Sequence, residues 1–83
     1  MRLVPSPEQH AEELRRSGLR MQSIRRQLGM TQLEMAYFLG VTTETIRKWE
    51  HGYVKPSRLA ELGIRHLCAE HGLDLNRMRR FAV

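Results

Sequence analysis

The chain has 83 residues, with 14 Lys plus Arg against 9 Asp plus Glu and a formal net charge of +5, a small basic domain with room for one core. A domain of this size buries only about 60% of the surface its unfolded chain exposes, so size alone favours a dimer in which a second copy covers more apolar area. The single cysteine, Cys68, excludes an intrachain disulfide, no stretch approaches the ~18 continuous apolar residues of a membrane span, and Met1 to Pro5 lack the apolar run of a secretory signal, so a cytoplasmic setting without membrane contact is expected.

Leu, Met, Ile and Ala supply the periodic apolar positions and β-branched runs are absent, which predicts an all-α fold. In chain order, Ser6 precedes Pro7 as an N-cap, with Gln9 placed to complete a capping box, and this first helix runs through Ala11 and Leu14 to end near Gly18. From Leu19 to Leu28 a helix carries Met21, Ile24 and Leu28 on one face and is stopped by Gly29. Thr31 caps the next, whose inward stripe is Met35, Ala36 and Leu39, and Gly40 closes it. After a short turn Thr42 caps a helix with Ile46 and Trp49 inside and Thr43, Glu44, Arg47 and Lys48 outside. Gly52 breaks it, Lys55-Pro56 turns the chain, and Ser57 caps a helix expected to point Leu59, Leu62 and Leu67 at the core. Leu75, Met78 and Phe81 or Ala82 have the spacing of a last short helix or a dimer arm.

The expected architecture is a compact five-helix domain, four core helices plus an N-terminal one, spanning 1–83: a leader helix (1–18), a core motif (19–69) and a basic C-terminal segment (70–83). The leader is neutral, because Glu8, Glu12 and Glu13 balance Arg2, Arg15 and Arg16. Residues 19–56 hold six cations and three acids, hence +3, and residues 57–83 five and three, hence +2, so the basic excess lies with the central motif and the tail.

Two short helices joined by a Gly-containing turn, with a small Ala36 where they cross and a polar outer face on the second, have the layout of a helix-turn-helix. The stretch from Ile24 to Pro56, IRRQLGMTQLEMAYFLGVTTETIRKWEHGYVKP, resembles the lambda-repressor and Cro-like (XRE-type) family of small bacterial, phage and plasmid regulators. The coincidences are Leu28-Gly29, Thr31-Gln32, Met35-Ala36, Leu39-Gly40-Val41, Thr42, Ile46, Trp49-Glu50, Gly52 and Pro56. The resemblance implies that Thr43 to Glu50 is a recognition helix for the major groove of double-stranded DNA. Thr43 and Thr45 suit thymine methyls or hydrogen bonds, Glu44 suits cytosine N4, and Arg47 or Lys48 suits guanine O6 and N7. Thr43, Glu44 and Lys48 match base-reading positions of the family, with Thr45 and Arg47 nearer the flanks. Gln32 matches a glutamine that anchors a backbone phosphate, joined as phosphate contacts by Thr31, Thr42, Tyr53, Lys55 and Arg58. Arg25 and Glu50 match a structural ion pair between the first core helix and the end of the recognition helix.

Each of these residues also has a plainer reading. Arg47 and Lys48 suit a solvated helix face, though the surrounding motif favours DNA. Trp49, in register with Ile46, is expected as a core anchor rather than a stacking platform. His66, Cys68 and His71 do not align as metal ligands on a helix, and no phosphate loop, HExxH or GxSxG is present, so no metal, cofactor or enzymatic activity is expected. Cys68 reads as a buried small apolar residue. One of Tyr37 and Phe38 is expected to pack on the N-terminal helix or on a second subunit. In the tail, Arg77, Arg79 and Arg80 suit phosphates, whereas Leu75, Met78 and Phe81 suit a seam between subunits, the reading preferred here. The expected function is a dimeric autorepressor that binds a palindromic operator. The alternatives are an antitoxin that binds a toxin protein as well as DNA, with the leader from Ser6 to Arg16 as the added surface, or an accessory factor of phage or plasmid DNA.

Overall fold

Four hydroxyl side chains start the four helices of the computed structural model, which describes residues 4–75. Ser6, Thr31, Thr42 and Ser57 each accept a hydrogen bond of 3.1–3.2 Å from the backbone N–H three residues on. The helices that follow are α1 (Pro7–Gln27), α2 (Gln32–Leu39), α3 (Thr43–Glu50) and α4 (Arg58–Glu70). Gln9 closes the expected capping box on Ser6, and Glu34 closes a second one on Thr31. At the far end of α2, Gly40 takes φ 70°, a left-handed conformation in which a side chain would be strained. Val41 N–H then returns to Ala36 C=O at 3.0 Å, and the chain is aimed into α3 two residues later.

No strand occurs among the described residues, and the fold is the expected all-α domain. Met21 and Ile24 of α1, Met35 and Ala36 of α2, Ile46 and Trp49 of α3, and Ala60, Ile64, Leu67 and Cys68 of α4 form the buried core. α3 packs against both α1 and α2, α2 also meets α4, and Leu28, Leu39, Val41 and Leu75 seal the edges of the core. Arg20 of α1 and Glu61 of α4 add an ion pair at 2.7 Å between the first and last helices.

Three expectations are corrected. The helices assigned to 7–18 and 19–28 are one, so four helices rather than five are described. Gly18 does not end a helix but lies buried in the middle of α1, where a Cβ would stand 2.5 Å from the Glu50 carbonyl oxygen. Its lack of a side chain lets the end of α3 touch the α1 backbone.

In α4, Leu59 and Leu62 point to solvent, 80% and 53% exposed, while Leu67 is buried as expected. The buried stripe is Ala60, Ile64, Leu67 and Cys68, at i, i+4, i+7 and i+8, the spacing of one helix face. Leu59 and Leu62 do not share that face. Tyr37 and Phe38 are both exposed in the single chain and touch edge to face, centroids 5.7 Å apart. The segment with Met78, Phe81 and Ala82 lies outside the described residues.

Candidate nucleic-acid interface

α3 is a helix with two chemistries. Ile46 and Trp49, three residues apart, enter the core and set the rotation of the helix about its axis. That rotation turns Glu44, Arg47 and Lys48 outward, with Thr43 and Thr45 half-buried beside them. Arg47 donates from Nε to Glu44 Oε1 at 2.7 Å and from Nη2 to Glu44 Oε2, so the two form an i, i+3 pair. Hydrogen bonding from Arg47 lowers the Glu44 carboxyl below its ordinary range, and the same contact raises the guanidinium. Because this pair is internally neutral, Lys48 supplies the unbalanced charge of the exposed face.

The end of α3 is held by a buried carboxylate. Glu50 is 5% exposed, and Arg25 of α1 grips it with two bonds, Nε to Oε2 at 2.6 Å and Nη2 to Oε1 at 3.1 Å. The same guanidinium donates to the Met30 carbonyl at 3.0 Å, which ties the α1–α2 turn to the pair. Hydrogen bonding to Glu50 raises the Arg25 guanidinium above its ordinary value. Gln32, the first residue of α2, donates its amide to Glu50 Oε1 at 3.1 Å, and Gln22 of α1 donates to the Glu50 carbonyl at 3.3 Å. Helices α1 and α2 thus converge on one residue of α3, and no buried side-chain polar atom among the described residues lacks a partner.

The first half of α1 extends this brace to the loop after α3. Gly52, at φ 75°, passes so close to α1 that a Cβ would meet the Leu14 carbonyl oxygen at 3.0 Å. Lys55 Nζ lies 3.5 Å from Glu13 Oε2. Gly18, Gln22 and the Leu14 contact carried no signal in the motif, because each acts on a residue more than two dozen positions away.

The remaining candidates stand around α3 in definite states. The hydroxyls of Thr31 and Thr42 serve as helix caps, and Thr42 also shares a 2.9 Å hydrogen bond with the Thr45 hydroxyl. The Gln32 amide nitrogen is engaged by Glu50 rather than open to solvent. Tyr53 is exposed and stacks on His51, centroids 5.8 Å apart and rings 18° from parallel. Arg58 is exposed at the first turn of α4.

Away from this surface, Cys68 is buried, and burial pushes its thiol up. His66 pairs with Glu70 at 2.9 Å and His71 Nδ1 with the Leu67 carbonyl at 3.0 Å. Among the described residues no three His, Cys, Asp or Glu side chains converge as a metal site, and no helix is long and apolar enough to cross a membrane.

The geometry agrees with comparison to known families. Residues 21–59 match the helix-turn-helix family model, a span that begins in α1, includes all of α2 and α3 and ends at the start of α4. No curated protein matches the chain.

Proposed function

Because residues 21–59 form a Cro/C1-type helix-turn-helix of the XRE family, whose members are DNA-binding transcription regulators, we propose that the chain is a dimeric, sequence-specific repressor of a palindromic operator. The observation that carries this reading is the two-sided α3: an apolar side locked by Ile46 and Trp49, and an outer side of Thr43, Glu44, Arg47 and Lys48. A helix rotationally fixed in this way presents its side chains at constant positions, as base readout in the major groove requires.

Thr43, Glu44 and Lys48 face base edges in this reading, and Thr45 and Arg47 stand at the flanks. Lys48 is free to donate to guanine without first giving up a partner. Arg47 exchanges its bond with Glu44 for a base or phosphate, which releases Glu44 to accept from cytosine N4. At the starts of α2 and α3 the Thr31 and Thr42 hydroxyls and the Gln32 side-chain amide contact phosphates, where the positive helix ends attract the anion, and Tyr53, Lys55 and Arg58 reach the backbone beyond the recognition helix. Gln32 has a second duty, since its side chain also steadies Glu50. Two copies would place their α3 helices about one DNA turn apart, and an operator so covered is closed to RNA polymerase by steric occlusion.

The test is a fluorescence-anisotropy titration against the duplex upstream of the chain's own gene and a shuffled duplex, at two salt concentrations. Tight binding to the upstream duplex alone supports an autoregulatory reader. Equal and steeply salt-dependent binding to both reduces the interaction to cationic attraction and counts against a palindromic operator at that locus.

A further inference from the structure

The most extensive exposed apolar surface among the described residues takes no part in the DNA-facing arrangement. Leu33, Tyr37 and Phe38 of α2 and Leu59 and Leu62 of α4 are all between 53% and 81% exposed. Phe38, Leu59 and Leu62 rim a groove of about 500 Å³ between the two helices. Small residues, Gly40, Ala60 and Gly63, line it together with Leu39 and Val41, and at Gly63 a Cβ would already press on Leu39 Cδ2 at 3.1 Å.

We propose that this α2–α4 face is the surface on which a second copy of the chain docks, an inference that gives the dimer of the repressor reading its interface. Area is the first argument. At roughly 200 Å² for a large side chain, the five residues expose on the order of 600 Å², of which Phe38, Leu59 and Leu62 at the groove supply on the order of 400 Å². The total is at the upper end of what monomers leave uncovered, and close to the ~800 Å² each partner contributes to a stable interface.

Shape and charge point the same way. A groove lined in part by small residues, beside protruding leucines, is self-complementary: under a two-fold axis the Leu59 and Leu62 ridge of each copy fills the groove of the other. The outer side of α2 carries Glu34 and no cation, whereas α4 exposes Arg58 and Arg65, with its exposed Glu70 paired to His66. Laying α2 of one copy across α4 of the other therefore sets opposite charges at the rim, which lets two chains of net charge +5 approach. No α3 residue lines the groove, so docking there leaves Thr43 to Lys48 free.

The experiment is sedimentation equilibrium on the full chain, on L59K/L62K and on M78K/F81K, with circular dichroism as the folding control. Leu59 and Leu62 are solvent-exposed in the isolated chain, so their replacement leaves the helical spectrum intact. The expected result is a dimer for the wild type, at least a tenfold weaker dimer for L59K/L62K, and an unchanged dimer for M78K/F81K. A monomeric wild type at 100 µM, an L59K/L62K dimer of wild-type strength, or loss of the dimer in M78K/F81K alone overturns the proposal, the last by assigning the seam to the tail. Anisotropy on the same proteins separates this inference from the repressor reading. Dissociation by L59K/L62K without operator specificity in the wild type sinks only the repressor, and specific binding with an unaffected dimer sinks only this interface.

Discussion

Replacing Gly18 by alanine should destabilise the protein, although the same change in an ordinary helix does the opposite. In the interior of a helix alanine is favoured over glycine by about 1 kcal/mol, because it loses less backbone entropy on folding. At Gly18 the added Cβ would lie 2.5 Å from the Glu50 carbonyl oxygen, 3.0 Å from its carbon and 3.0 Å from the Trp49 carbonyl oxygen. Ordinary contact begins near 3.4 Å, so α1 and the end of α3 must separate by ~0.9 Å. All three obstructing atoms are backbone, and no rotamer change relieves them. The separation also stretches the Gln22 bond to the Glu50 carbonyl, already 3.3 Å long.

Overpacking costs typically 1–3 kcal/mol, and about 2–3 kcal/mol here because backbone must move, so a net loss of about 1–2 kcal/mol remains after the propensity gain. For a domain of this size that lowers Tm by roughly 5–15 °C. Urea denaturation followed by circular dichroism measures it, with Ala11→Gly on the exposed side of the same helix as control. The control should lose up to about 1 kcal/mol for the ordinary propensity reason. A Gly18→Ala protein as stable as wild type, or more so, would show that the close approach of α1 and α3 is not a constraint.

Glu50→Ala should cost about 3 kcal/mol in the same assay, since it leaves Arg25 partly buried without its partner and frees the Gln32 amide; a loss below about 1 kcal/mol would contradict the role given to this carboxylate. Bonds from Arg15 and Arg16 hold the Glu12 carboxyl down from 4.5 to about 2. Because the folded value is depressed, its contribution is present above pH 4.5 and disappears as pH falls toward 2. The Tm difference between wild type and Glu12→Gln, small because the site is exposed, should therefore vanish over that interval; a constant difference would exclude the linkage. Lys48→Ala should weaken the cognate duplex by about 1–3 kcal/mol and relax base preference, and an equal loss on every duplex would assign Lys48 to phosphate. Gln32→Ala should weaken all duplexes alike and lower stability by ~1 kcal/mol, whereas a base-selective change would argue against the phosphate assignment.

What the sequence determined by itself is the part of the structure governed by neighbours three or four residues apart. The caps at Ser6, Thr31, Thr42 and Ser57, the left-handed stop at Gly40 and the inward pair Ile46 and Trp49 all follow from side-chain reach and helical period, so the helix-turn-helix and the outer face of α3 were legible. The tertiary structure decided what those rules leave open. Glycine ends a helix at Gly40 and admits a neighbouring backbone at Gly18, and only the position of α3 distinguishes the two uses. On α4, apolar residues occupy both sides, and packing against the other three helices chose the stripe of Ala60, Ile64, Leu67 and Cys68, leaving Leu59 and Leu62 outside. Gln22, Arg25 and Gln32 meet Glu50 from 28, 25 and 18 residues away. Local propensity carries no information at such separations; the desolvation of a buried carboxylate does, because Glu50 can be buried only where the fold brings donors to it.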